Sequence, residues 1–157
     1  MDLRDFDFQH RTLTLDGEWL FYPSGWLMDK DNPPTSTTYI QVPDGWDEVF
    51  QEDEWTPYGY GSYHLKLLID PERAFTFSMR VPSIRSAAEI YVDGHLIAAA
   101  GELGENRQQT VAKNVPFTAS FETKGRSEID IIVQAANFQD PRNGGGLYVP
   151  LNSDKKR

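Results

Sequence analysis

AEIYVDGHLIAAAG, residues 88–101, decides the fold. Ala88, Ile90 and Val92 fall on one face and Glu89 and Tyr91 on the other, the period of a half-buried strand. Asp93-Gly94 follows, a dipeptide suited to the positive φ angles of a tight hairpin, and the chain returns through His95-Leu96-Ile97. The same period recurs on both sides. In SYHLKLLI (62–69), Tyr63, Leu65, Leu67 and Ile69 oppose His64 and Lys66; in FTFSMRV (75–81), Phe75, Phe77, Met79 and Val81 oppose Thr76, Ser78 and Arg80. EIDIIVQA (128–135) alternates Ile129, Ile131, Val133 and Ala135 against Glu128, Asp130 and Gln134, with Ile132 on the polar side. GEWLFY (17–22) and TTYIQV (37–42) read as earlier strands. No apolar stripe of helical period and length occurs, and the one helical candidate is a turn or two near 46–53 with Asp44 as its cap. About eight short strands separated by Pro, Gly and Asn turns predict an all-β antiparallel sandwich.

The chain has 157 residues, 12 Gly, 10 Pro and no Cys, one domain's worth of sequence that needs no disulfide to hold its core. Its 24 acids against 15 Lys and Arg give a net charge of −9, which argues against nucleic acid as a partner. No apolar run approaches the ~20 residues that cross a bilayer, so any membrane contact would come through other parts of a longer protein. Residues 1–151 read as one domain and 152–157 as a linker or tail. The acidity sits in the first third, most densely in DGWDEVFQEDEW (44–55). Oxygen donors of this kind would suit calcium, but the string lacks the spaced Asp/Asn ladder and central Gly of an EF-hand loop. No cofactor or metal is expected, and the segment reads as a solvated acidic loop with Trp46, Phe50 and Trp55 turned inward.

Motifs for chemistry are missing. His10, His64 and His95 form no HExxH pattern, no GxSxG elbow is present, and Gly144–Gly146 lacks the Lys-Ser/Thr of a phosphate loop. Acids abound, but abundance does not set two carboxyls about 5–10 Å apart across a cleft, as glycoside hydrolysis requires. No catalytic residue is assigned. Binding is better provided for, because sugars are held by aromatic faces together with planar polar side chains, and both classes sit in the long strand-poor stretches at 23–36, 43–61 and 137–146. The candidate ligand-binding residues are Trp55, Tyr58 and Tyr60 at the 43–61 loop and Arg85, Asn137 and Arg142 near strand ends, with Trp55 and Tyr58 foremost. Trp19 and Trp46 read as core or end-plug residues, and Asn137 as a side chain that equally suits a backbone bond to the final loop.

LDGEWLFY (15–22), VPDGW (42–46), GYGSYHLKLLI (59–69), AEIYVDGHLIAAAG (88–101) and EIDIIVQAANF (128–138) occur in the order found in galactose-binding-like jelly rolls. Together they resemble the N-terminal sugar-binding domain of family 2 glycoside hydrolases. The ending NFQDPRNGGGLYVPL (137–151) resembles more fully the N-terminal extracellular domain of bacterial seven-transmembrane receptors with diverse intracellular signalling modules, such as sensor histidine kinases. Asp93 stands where the hydrolase pattern has Asn, and the acidic insertion at 47–54 is a second departure. The resemblance implies a jelly roll of about eight to ten strands. It also implies a place on the extracellular side of a bacterial membrane and a non-catalytic sensing role, with a carbohydrate or other small molecule as ligand. The alternative it implies is an accessory sugar-binding or structural domain of a family 2-like hydrolase, whose catalytic acids lie in a separate barrel. A third reading makes the acidic 44–54 loop a docking surface for a basic protein, with salt-sensitive association. Oligomeric state is left open.

Overall fold

A computed structural model of the chain describes residues 1–7, 13–42, 58–73, 76–81, 87–113, 117–138 and 150–154. Ten strands are present among them: β1 Leu13–Thr14, β2 Gly17–Pro23, β3 Thr38–Val42, β4 Gly59–Leu68, β5 Thr76–Val81, β6 Ala87–Val92, β7 His95–Ala100, β8 Phe117–Glu122, β9 Glu128–Asn137 and β10 Pro150–Asp154. They form a six-stranded sheet of order β3-β2-β4-β9-β6-β7 and a four-stranded sheet of order β1-β10-β5-β8. Every pairing between named strands is antiparallel. The helical candidate at 46–53 lies outside the described residues.

The alternation read from the sequence sets the inner faces. Trp19, Phe21, Tyr63, Leu67, Ile90, Ile129, Ile131 and Val133 from the large sheet are buried with Phe77, Met79 and Phe121 from the small one. Trp19 meets Tyr63 edge-on at 6.4 Å and 87°, and Phe21 lies 4.8 Å from the same ring. The indole also donates to the Leu15 carbonyl at 2.9 Å, which satisfies its one polar atom inside the core.

The Asp93-Gly94 turn has the expected backbone, with φ of 47° and 84°. Asp93 also explains the acid found where the hydrolase pattern carries Asn. Its carboxylate accepts the Asp130 N–H at 2.8 Å and Arg126 at 2.7 Å, tying the hairpin to β9 and to the turn that precedes it. An Asn would offer one carbonyl oxygen for these two bonds.

Three strands go beyond the sequence reading. β1 is too short for a period, and β8 (FTASFE) is a six-residue strand whose Ala119 and Phe121 are buried on the inner face. β10 runs on past Leu151, with Asn152, Ser153 and Asp154 in register with Ser78, Phe77 and Thr76 in the small sheet. Backbone pairing does not require apolar side chains, so a polar string such as NSD gives no sign of it.

Candidate functional site

The 23–36 stretch joins β2 to β3 by crossing the outer face of the large sheet. Its path is fixed by two polar side chains from the sheet below it. Ser62 on β4 donates to the Gly25 carbonyl at 2.8 Å and accepts the Leu27 N–H at 3.1 Å, while Gln134 on β9 accepts the Met28 N–H at 3.0 Å. Ser62 and Gln134 are opposite each other in register and both are buried, so the strap converts outward-facing polar positions into interior ones. Ser24, at φ 53°, donates its N–H to the Tyr60 carbonyl at 2.9 Å and starts the crossing. Thus held, Trp26 lies against Tyr60, with ring centroids 4.8 Å apart and planes at 32°.

A second loop reaches the same place from β7. Glu102 and Val111 exchange both backbone bonds, at 2.8 and 2.9 Å, and close the segment between them. Inside it, Asn106 accepts the Gln109 N–H on its side chain at 2.9 Å and the Thr110 hydroxyl on its carbonyl at 2.9 Å, so the loop is ordered by its own bonds. Two of its side chains meet the aromatics. Glu105 lies near enough to the Tyr60 hydroxyl for its charge to oppose that group's ionisation, and the Arg107 guanidinium carbon sits 5.5 Å from the centroid of the Tyr58 ring, over its face. The result is a row of half-buried aromatics, Trp26, Tyr60 and Tyr58, edged by an exposed acid and an exposed base.

Of the residues singled out from the sequence, Tyr58 and Tyr60 are brought together here. Tyr60 is a β4 strand residue rather than part of the preceding loop, because β4 starts at Gly59. Asn137 ends β9 opposite Gly59, one position out of phase with Tyr60, and is 2% exposed, so the pleat places it apart from the aromatic row. Trp55, Arg85 and Arg142 lie outside the described residues, as do Trp46, His10 and the triple glycine. Trp26, Glu105 and Arg107 were not picked out by sequence reasoning. Trp26 lies in a loop with no period, and a signal for it was available only in the length of the 23–36 stretch.

Among the described residues no group of three or more His, Asp or Glu side chains could hold a metal ion. His64 sits on the polar face as expected, 2.9 Å from Asp130 across the sheet. Three tyrosines are held in their neutral form. Burial raises Tyr63; burial, then the Glu105 charge and hydrogen bond, raise Tyr60; and burial, then the 2.6 Å bond to Glu89, push Tyr91 up to about 12. An unfolded tyrosine ionises near pH ~10, so above that pH the unfolded chain loses protons that the fold retains. The stabilisation is therefore complete below pH ~10 and fades as the pH climbs through the folded values. Melting temperature should fall between pH ~10 and ~12, with a shallower slope in Tyr91→Phe. Parallel slopes in thermal melts of the two proteins would refute the role of Tyr91.

No protein-family model and no curated protein matches the sequence. Solved structures do. A GH2 beta-galacturonidase from Eisenbergiella tayi bound to galacturonate aligns over 95% of this chain and 26% of its own, with TM-score 0.59 and 16% identity. The Ruminococcus gnavus beta-glucuronidase aligns over 91% and 28%, at 0.63 and 17%, and an uncultured Clostridium sp. beta-glucuronidase over 93% and 29%, at 0.65 and 16%. The chain has the galactose-binding-like jelly-roll fold. At these identities the likeness is one of fold, and the jelly roll spans under a third of each enzyme's length. These neighbours match the hydrolase side of the sequence resemblance. The receptor side rests on the 137–151 ending, of which 139–149 lie outside the described residues.

Proposed function

We propose that this jelly roll is a non-catalytic carbohydrate-binding module of a larger glycoside-hydrolase-type protein, and that the Trp26–Tyr60–Tyr58 row is its binding surface. The observation that carries the proposal is the row itself. Three aromatic side chains from two separated segments gather at one end of the sheet, partly exposed, with a carboxylate and a guanidinium beside them. A saccharide ring offers apolar C–H faces for such aromatics and hydroxyl edges for such polar groups. The fold shared with family 2 enzymes supports the setting, and any hydrolysis is assigned to a different part of the protein. The receptor reading has no comparable support among these observations.

The test is titration of the protein with a panel of oligosaccharides and soluble polysaccharides, with Trp26→Ala in parallel. Binding should weaken about tenfold or more in the variant, the equivalent of ~1.4 kcal/mol. The overall fold should be kept, because Trp26 sits on the strap and not in the core cluster. Equal binding by both proteins would move the site elsewhere. Absence of binding to the whole panel would remove the carbohydrate reading.

A further inference from the structure

Arg107 carries a further step, which rests on the carbohydrate reading above. We propose that the saccharide taken at this site bears a carboxylate, and that Arg107 is the residue that selects it.

The argument starts from charge. The protein is acidic overall, at −9, and a base beside the aromatic row runs against that balance. Arg107 is exposed, and its one interaction among the described residues is with the Tyr58 ring. None of the described carboxylates pairs with it, whereas Arg4 and Arg126 are each paired with an aspartate. A guanidinium over an aromatic ring is attracted to the ring's face as a cation, and its fork of N–H donors can still turn to an acceptor at the edge of that ring. That fork matches the two oxygens of a carboxylate bidentately, and it matches a lone hydroxyl poorly.

Glu105, two residues away, keeps its charge beside the Tyr60 hydroxyl, whose ionisation that charge opposes. The two loop residues thus stand at different rings, Glu105 beside Tyr60 and Arg107 over Tyr58, so a ligand carboxylate is drawn to the Tyr58 end of the row. The fork is also pre-positioned. Asn106 and Thr110 brace the turn that carries it, and the Glu102–Val111 pair closes the loop, so little ordering remains to be done on binding.

Titration calorimetry with oligogalacturonate and oligoglucuronate, each beside its carboxyl-reduced counterpart, tests the proposal because each pair differs only in the carboxylate. At least one uronate oligomer should bind about tenfold more tightly than its reduced form, an advantage that shrinks between 50 and 500 mM salt as screening grows. Arg107→Gln should abolish the preference, so that the uronate oligomer binds no more tightly than its reduced form. Arg107→Lys should restore only part of it, since the charge returns without the fork. Thermal stability should stay within a few degrees in both variants, because the side chain is exposed. Equal binding of charged and reduced oligomers, or a preference that survives Arg107→Gln, would overturn the selectivity and leave the carbohydrate site standing. If no oligomer binds, charged or reduced, both readings fall together.

Discussion

Trp19→Ala should remove about 3–5 kcal/mol of stability, a large share of the ~5–15 kcal/mol that holds a domain of this kind together. Trp19 is 1% exposed and stands among the largest fully buried side chains. Its ring fills the space beside Tyr63, and its Nε1 is the donor for the Leu15 carbonyl at 2.9 Å. Truncation would leave a cavity that a sheet core cannot close, because the flanking strands are fixed by their ladders on both sides: β2 pairs with β3 and β4. It would also leave the Leu15 carbonyl without its indole donor. Urea unfolding should show a lower midpoint with an unchanged slope. Trp19→Phe should recover most of the packing loss and none of the hydrogen bond. A loss under ~1 kcal/mol for the alanine variant would mean that the core relaxes far more than its pairing allows.

Gly101→Ala has the second large effect, and it should reach the proposed binding surface. Gly101 lies at φ +72°, where an L side chain costs about 1–2 kcal/mol by itself. A Cβ there would also run into the Val111 carbonyl oxygen and approach the Ala87 Cβ at 3.2 Å and the Lys113 nitrogen at 3.3 Å. Val111 is a member of the backbone pair that closes the loop, so the clash falls on the bond that positions Glu105 and Arg107. Gly94→Ala is the natural control. It has φ +84° but nothing within 4 Å of its added Cβ, so it bears the backbone cost alone. Thermal melts should rank Gly101→Ala well below Gly94→Ala, by about 1–3 kcal/mol of overpacking, and only the former should weaken saccharide binding. Equal melting temperatures would show that the Val111 contact is relieved at no cost.

The frame of the molecule was legible because its signals are local. A period of two in EIDIIVQA places Ile129, Ile131 and Val133 inward whatever they pack against, and Asp93-Gly94 selects its turn from its own backbone preferences. Even the one irregularity, Ile132 on the polar face, was visible, and in the fold it is half-buried there. Tyr58 stands out in the sequence as a candidate binding residue from its place beside acids and a proline in the 43–61 loop. Asn137 was grouped with it because both flank long loops, and it parts from Tyr60 because neighbouring positions on a pleated strand face opposite ways.

The aromatic row itself depends on distance in the chain. Trp26 reaches Tyr60 because Ser62 and Gln134, 35 and 106 residues from the backbone N–H groups they accept, pin the strap to the sheet. Arg107 reaches Tyr58 because β7 is an edge strand whose following loop closes back through Glu102 and Val111. Neither fact has a periodicity or motif to announce it. By itself, then, the sequence determined most of the strands, their inward faces and the hairpin, which follow from side-chain alternation and from the φ angles a residue tolerates. Only the tertiary structure decided which side chains form a surface, because that depends on strand order and on which backbone groups a buried Ser or Gln must satisfy.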